Sequence, residues 1–254
     1  FGVCSGLKSV TIPDGVTSIG YGAFYQCIAL QSVTIPDSVT SIGRQAFQQC
    51  SGLKSVTIPD GVTSIGKEAF YRNYLIGNIT LPSSIQSIGE GAFYECVSLT
   101  SIIVLGESAL NIGDLAFAED SNLFEVMFNT KQMIKFSGKN VFQNCKLLEY
   151  IGFRKGVTSV VGLTEKGLAC GRGSCECEKG FQNAFSEDSE YFACAPCTPG
   201  SFSPTNSLSS TSCQQCNEGT YVEYSQASEC ELCPIGKYLA SGGGKSAIDY
   251  RNCR

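Results

Sequence analysis

Through the first two thirds of the chain, apolar residues fall into columns one repeat apart. Phe1, Phe24, Phe47, Phe70, Phe93, Phe117 and Phe142 are separated by steps of 23, 23, 23, 23, 24 and 25 residues. Leu7, Leu30, Leu53, Ile76, Leu99, Leu123 and Leu148 keep the same register, as do Ile19, Ile42, Ile65, Ile88 and Ile112. Within one period, Leu7-Lys8-Ser9-Val10-Thr11-Ile12 alternates at its end. That alternation predicts a short strand with Val10 and Ile12 on one face and Ser9 and Thr11 on the other. Pro13-Asp14-Gly15 stops it, because proline removes a ladder donor and Asp-Gly suits a turn. Val16, Ile19, Ala23 and Phe24 then bring the chain back across a core. A fixed period of roughly 20–29 residues with regular aliphatics signals stacked coils. One such coil cannot bury its own apolar face, so its stability comes from its neighbours. The expected fold is a repeat solenoid of parallel β-strands with short non-strand returns, about seven coils with the first incomplete.

The repeat Ala-Phe-x-x-Cys-x-x-Leu-x-Ser-Val-Thr-Ile-Pro-Asp-x-Val-Thr-Ser-Ile-Gly runs from Ala23 to Gly43 and again from Ala46 to Gly66. It resembles the BspA-type (Treponema-type) leucine-rich repeat over about residues 1 to 162. The resemblance implies a curved solenoid from a secreted or cell-surface protein, of a kind linked to adhesion or matrix contacts. Asn73 and Asp120 replace the column cysteine, Leu105 replaces the proline, and the last two repeats carry insertions. Phe1 sits in the last column of a repeat whose beginning is missing, so the chain reads as a processed or truncated piece.

Cysteine usage divides the chain. Of 15 cysteines, five lie in the repeats (Cys4, Cys27, Cys50, Cys96, Cys145) and ten between Cys170 and Cys253. The boundary is placed between residues 163 and 164. The repeat-column cysteines read as small buried apolar residues, whose parallel Cβ directions disfavour bridging along the stack. In the tail, Cys194/Cys197, Cys213/Cys216 and Cys230/Cys233 form three Cys-x-x-Cys pairs, each followed by glycine and an aromatic residue: Gly200 and Phe202, Gly219 and Tyr221, Gly236 and Tyr238. The spacing of Cys194, Cys197, Cys213 and Cys216 also satisfies a zinc ribbon. Ten cysteines leave two over from complete four-ligand sites, and the unit recurs a third time, which favours disulfides. Cys175-Glu176-Cys177-Glu178-Lys179-Gly180-Phe181 looks like half of an EGF-like module. The later units are similar to ephrin-receptor-like, GCC2/GCC3 and tumour-necrosis-factor-receptor-like modules. That resemblance implies sequential pairing: Cys170–Cys175, Cys177–Cys194, Cys197–Cys213, Cys216–Cys230 and Cys233–Cys253.

Charge and chemistry narrow the function. The net charge of −5 divides as about −1 and −4 between the two parts, with no basic patch to suit nucleic acid. No run of about 20 apolar residues suggests a membrane span. The chain has no histidine, which removes Ser-His-Asp and Cys-His nucleophiles and most zinc hydrolase sites. Asp14, Asp37 and Asp60 form an acidic column best read as turn residues, too poor in oxygen ligands for a calcium ladder. Glu187-Asp188-Ser189-Glu190 reads as a solvated acidic loop. No enzyme, cofactor or metal is expected.

What remains is a surface. Ser9/Thr11, Ser32/Thr34, Ser55/Thr57 and Asn78/Thr80 form an outward row, either a merely solvated sheet face or a regular hydroxyl surface for carbohydrate or protein. Beyond Ser101 the row turns apolar and mixed. Asn78-Ile79-Thr80 is an N-glycosylation sequon, and the Ser/Thr-rich stretch 201–212 is either O-glycosylated or a polar loop. The leading expectation is a non-enzymatic extracellular recognition or adhesion protein with the cysteine-rich part as stalk or spacer. The alternative is a subunit of an extracellular filament or coat, self-associating through solenoid ends.

Overall fold

The computed structural model divides into two compact units, residues 1–163 and 164–254. It describes residues 3–138, 140–154, 157, 160–161 and 163 of the first, and 168–171, 174–177, 181–183, 191–192, 194–197, 201–202, 213–216, 220–221 and 227–232 of the second. Phe1, Cys233, Cys253, the acidic loop 187–190, residues 203–212 and the side chains of Cys170, Cys175 and Cys177 lie outside the described residues.

The first unit is a parallel β-solenoid, and no described residue is helical. One face carries β1 (Ser9–Thr11) and β3 (Ser32–Thr34), then β6 (Asn78–Leu81), β8 (Ser101–Val104), β10 (Glu125–Phe128) and β12 (Tyr150–Arg154). Register follows the repeat: Ser9 lies beside Ser32 and Thr11 beside Thr34, while Asn78, Ser101, Glu125 and Tyr150 are aligned neighbours.

The returns differ from the expectation of strandless connections. β2 (Ser18–Ile19), β4 (Ser41–Ile42), β5 (Ser64–Ile65), β7 (Ser87–Ile88), β9 (Leu110–Ile112), β11 (Ile134–Phe136) and β13 (Val160–Val161) build a second, seven-stranded parallel sheet. In it Ser18, Ser41, Ser64, Ser87 and Asn111 align, as do the buried isoleucines beside them. The first face is interrupted at the third coil. Ser55-Val56-Thr57 keeps its exposed, buried, exposed alternation but pairs with neither neighbour as a strand. The bond that enters this segment, from Lys54 N–H to the Gln31 carbonyl, is stretched to 3.4 Å.

Between the sheets, the phenylalanine column forms a continuous stack. Ring centroids from Phe24 through Phe47, Phe70, Phe93 and Phe117 to Phe142 are 5.1, 5.3, 5.2, 5.5 and 5.6 Å apart, with planes within 11°. These spacings follow from strands about 4.8 Å apart and place the rings in the preferred offset stack.

After the second strand each coil turns sharply. In the five returns from Gly22 to Glu119 two residues per turn take left-handed φ, for example Gln45 at 57° and Gln49 at 58°, Glu68 at 56° and Arg72 at 59°. Such φ values disfavour L-residues by roughly 1–2 kcal/mol each. Inter-coil bonds offset that cost: Phe47 N–H donates to the Ala69 carbonyl at 2.8 Å and Gln49 N–H to the Tyr71 carbonyl at 2.8 Å. The return edge is thus a hydrogen-bonded ladder in its own right.

The second unit is built from short antiparallel pairs. β14 (Leu168–Gly171) pairs with β15 (Ser174–Cys177), which places Cys170 opposite Cys175 in the backbone register. β16 (Phe181–Asn183) pairs with β18 (Cys194–Pro196); the two-residue β17 (Tyr191–Phe192) precedes β18. β19 (Ser201–Phe202) pairs with β20 (Gln214–Gln215), and β21 (Thr220–Tyr221) with β22 (Glu231–Leu232). Disulfides join Cys197 to Cys213 and Cys216 to Cys230, with Cα separations of 5.6 and 5.8 Å. Each closes a loop that constrains the unfolded chain by about 3 kcal/mol. Cys194 is also disulfide-bonded. The four thiolates of the zinc-ribbon alternative, Cys194, Cys197, Cys213 and Cys216, are therefore all held in disulfides.

Candidate recognition surfaces

The hydroxyl row stands on the first face because strand alternation sends Val10, Val33, Val56 and Ile79 inward. Ser9, Thr11, Ser32, Thr34, Ser55, Thr57, Asn78 and Thr80 are all exposed, so the row crosses the third coil even where the strand ladder does not. Asn78 accepts a 2.7 Å bond at Oδ1 from the Thr100 hydroxyl, which orients its amide. Beyond this point Ile103 takes the place of Thr80 in register, and Ile103, Phe124, Met133 and Leu147 are exposed.

The return edge presents a second array that column reading of the apolar positions missed. Its side chains meet one coil apart: Gln26 Nε2 donates to Gln49 Oε1 at 2.7 Å, Gln45 Nε2 to Glu68 Oε2 at 2.6 Å, Lys67 Nζ to Glu90 Oε1 at 2.9 Å, and Arg72 Nε to Glu95 Oε2 at 2.7 Å. Tyr71 and Tyr94 stack at 5.1 Å, and the Arg72 guanidinium lies 5.1 Å from the Tyr71 centroid. Exposed pairs of this kind contribute at most about 1 kcal/mol each. Their effect is to order the edge side chains in rungs. The signal available in the sequence was the polar or aromatic identity of the residues flanking each Ala-Phe.

The repeat cysteines are thiols with a structural bond. Cys50, Cys96 and Cys145 donate Sγ–H to the carbonyls of Phe24, Phe70 and Phe117 at 3.0, 3.2 and 2.9 Å. Asn73 fills the same column and its Nδ2 donates to the Phe47 carbonyl at 2.9 Å. Burial pushes the Cys50 thiol up to about 12, raises Cys27, and raises Cys96 well above the ordinary range. A raised thiol contributes stability that is full below the unfolded value, near 8.5, and is lost as pH climbs through the folded value. The thiolate is the reactive form. At pH 8, Cys27, Cys50, Cys96 and Cys145 are therefore expected to resist maleimide labelling in the folded chain, while half-buried Cys4 is modified. Rapid labelling of the four without unfolding would contradict this assignment.

Comparison with known proteins agrees with the geometry. The family model for the BspA type leucine-rich repeat region matches residues 1–123 and 40–162, in six copies. A solved leucine-rich repeat protein of T. pallidum is similar at 32% identity and TM-score 0.54, over 58% of this chain and 68% of that one. A leucine-rich repeat protein from Bacteroides ovatus matches at 27% identity and TM-score 0.42, over 61% of this chain and 48% of that one. The pneumococcal vaccine antigen PcpA matches at 23% identity and TM-score 0.46, over 70% and 46%. The chain thus spans about half the length of the latter two. No curated protein matches.

Proposed function

The chain belongs to the BspA-type leucine-rich repeat family, and from that premise we propose that it is a non-enzymatic extracellular recognition or adhesion protein. The solenoid contacts a surface or matrix partner, protein or carbohydrate, and the disulfide-bonded unit serves as a stalk or spacer of EGF-like or ephrin-receptor-like character. The observation that carries this reading is the row of exposed hydroxyls from Ser9 to Thr80. It offers donors and acceptors at a strand-spaced interval with no charge of its own, the kind of rigid polar surface that meets hydroxyl-rich or backbone-rich partners. Disulfides in the second unit support an oxidising compartment. No helix among the described residues is long and apolar enough to cross a membrane. In this setting the exposed Asn78 would carry a glycan, which mass spectrometry of secreted material reads directly.

The test is binding of the 254-residue chain to arrayed glycans and extracellular matrix proteins, with a Thr34→Lys/Thr57→Lys variant beside it. Both threonines are exposed, so the variant is expected to keep its thermal midpoint. Its affinity for the captured partner is expected to fall roughly tenfold or more, since two long charged side chains stand in the contact plane. Unaltered binding by the variant would remove the hydroxyl row as the recognition surface.

A further inference from the structure

The return edge is open between Gly22 and Gln45. At the first left-handed position of five successive returns, the column reads Gly22, Gln45, Glu68, Gly91 and Leu115, all with φ between 54° and 58°. Gln45 and Glu68 join into a rung, but Gly22 offers no side chain to meet Gln45. The result is a cleft of about 410 Å3 with Gly22 as its floor and Tyr21, Tyr25 and Gln45 as its walls.

Packing does not demand the glycine. A Cβ on Gly22 would meet nothing closer than the Tyr25 Cβ at 3.7 Å, an ordinary contact. Gln45 and Glu68 also show that the same φ is held by residues with full side chains. The other glycine of the column, Gly91, is flanked by Glu90 and Tyr94, so only Gly22 lies between two tyrosines. Tyr21 is 72% exposed, and the Arg44 guanidinium sits 6.0 Å from its ring centroid. The Arg44 carbonyl accepts the Gly22 N–H at 3.0 Å, which ties the cleft's floor to the adjacent coil.

From this geometry we propose that the Tyr21/Gly22/Tyr25/Gln45 cleft binds a pyranose ring of a glycan. The chemistry is complementary. A pyranose has an apolar C–H face that packs on a tyrosine ring, and a rim of hydroxyls that both donate and accept. Gln45 Nε2 is engaged by Glu68, which leaves its amide oxygen to accept from a sugar hydroxyl. The Arg44 guanidinium, 6.0 Å from the Tyr21 ring centroid, supplies further donors beside that wall. The volume falls in the range of small-molecule sites, roughly 300–1,000 Å3. This site lies on the return edge and not on the hydroxyl row, so it stands or falls separately from that surface.

The test is ligand-observed saturation-transfer NMR of the 254-residue chain with a panel of monosaccharides and short glycans at millimolar concentration. At least one pyranose is expected to show transfer concentrated on its ring C–H protons. Tyr21→Ala is expected to weaken that ligand roughly tenfold through loss of one stacking wall. Gly22→Asn is expected to abolish it by filling the gap, while keeping the left-handed backbone that asparagine tolerates and an unchanged thermal midpoint. No transfer from any pyranose would overturn the assignment, and so would binding that survives Gly22→Asn.

Discussion

Gly89→Ala is expected to destabilise the solenoid by roughly 3 kcal/mol, the upper end of the cost of forcing extra atoms into packed structure. The cause is steric, because Gly89 has no left-handed φ to protect. A Cβ there would lie 2.5 Å from the Lys67 amide nitrogen, 2.6 Å from the Gly66 carbonyl carbon and 2.9 Å from the Gly66 oxygen. All three are backbone atoms of the preceding coil, so no side chain can swing aside. The same closeness recurs at the junctions that have a coil before them: Gly43 against the Ile19 oxygen at 2.7 Å, Gly66 against the Arg44 nitrogen at 2.6 Å, Gly113 against the Glu90 nitrogen at 2.5 Å; Gly20, in the first coil, has nothing within 4 Å. It arises where the second sheet ends, as Gly89 N–H donates to the Ile65 carbonyl at 2.8 Å and the backbones converge. Gly77→Ala is the control, since a Cβ at Gly77 meets nothing within 4 Å. It is expected to fall within roughly 0.5 kcal/mol of the parent, as open surface changes do. Equilibrium urea unfolding followed by far-ultraviolet circular dichroism reads both. Equal midpoints for the two variants would sink the close-approach account of the Ser-Ile-Gly junction.

That junction shows what a repeat discloses and what it conceals. The period, the inward columns and the outward row followed from spacing alone, because one residue per coil projects the same way in every coil. The second sheet did not. Its early strands are two residues long, with one buried isoleucine apiece, and so short a stretch carries no alternation to detect. The left-handed returns were hidden for a different reason. Gln, Glu and Arg occupy positions where glycine or asparagine would normally announce positive φ, and the inter-coil bonds that hold them there are invisible in one coil's sequence. The break in the first face is more instructive still. Ser5 to Gly20 and Ser51 to Gly66 are identical letter for letter, yet Ser9 to Thr11 pairs as a strand while Ser55 to Thr57 does not. Identical segments with different pairing place the cause in the neighbouring coils, outside the reach of any local reading. The cleft at Gly22 escaped for the same kind of reason, since its walls come from two coils and its floor from a missing side chain.

Asp120→Asn is expected to stabilise the solenoid near neutral pH by about 1–3 kcal/mol, the penalty ordinarily attached to a buried polar group without its partner. Asp120 occupies the cysteine column and is fully buried. Four other members of that column are donors: Cys50, Asn73, Cys96 and Cys145 each give a hydrogen to a phenylalanine carbonyl of an earlier coil. Asp120 can donate only when protonated. Its Oδ1 accepts the Cys96 N–H at 2.7 Å, while its buried Oδ2 has no partner. Burial raises its carboxyl well above the usual range; the Cys96 N–H bond opposes that shift, and the negative charge of Glu119 adds to it. The sign follows. A carboxyl raised in the folded state contributes stability that is complete below its unfolded value, near 3.9, and is lost as pH climbs through the folded value. The parent should therefore weaken as pH rises from about 4 toward neutrality through this residue, whereas asparagine removes that slope. Asn73 shows that the amide fits the column, with its Nδ2 seated on the Phe47 carbonyl. Urea midpoints of the two proteins measured from pH 4 to pH 8 should diverge steadily, with Asp120→Asn the more stable at the upper end. Parallel curves across that range would mean that the carboxyl finds a partner for its charge, and the case for a missing donor at Asp120 would fall.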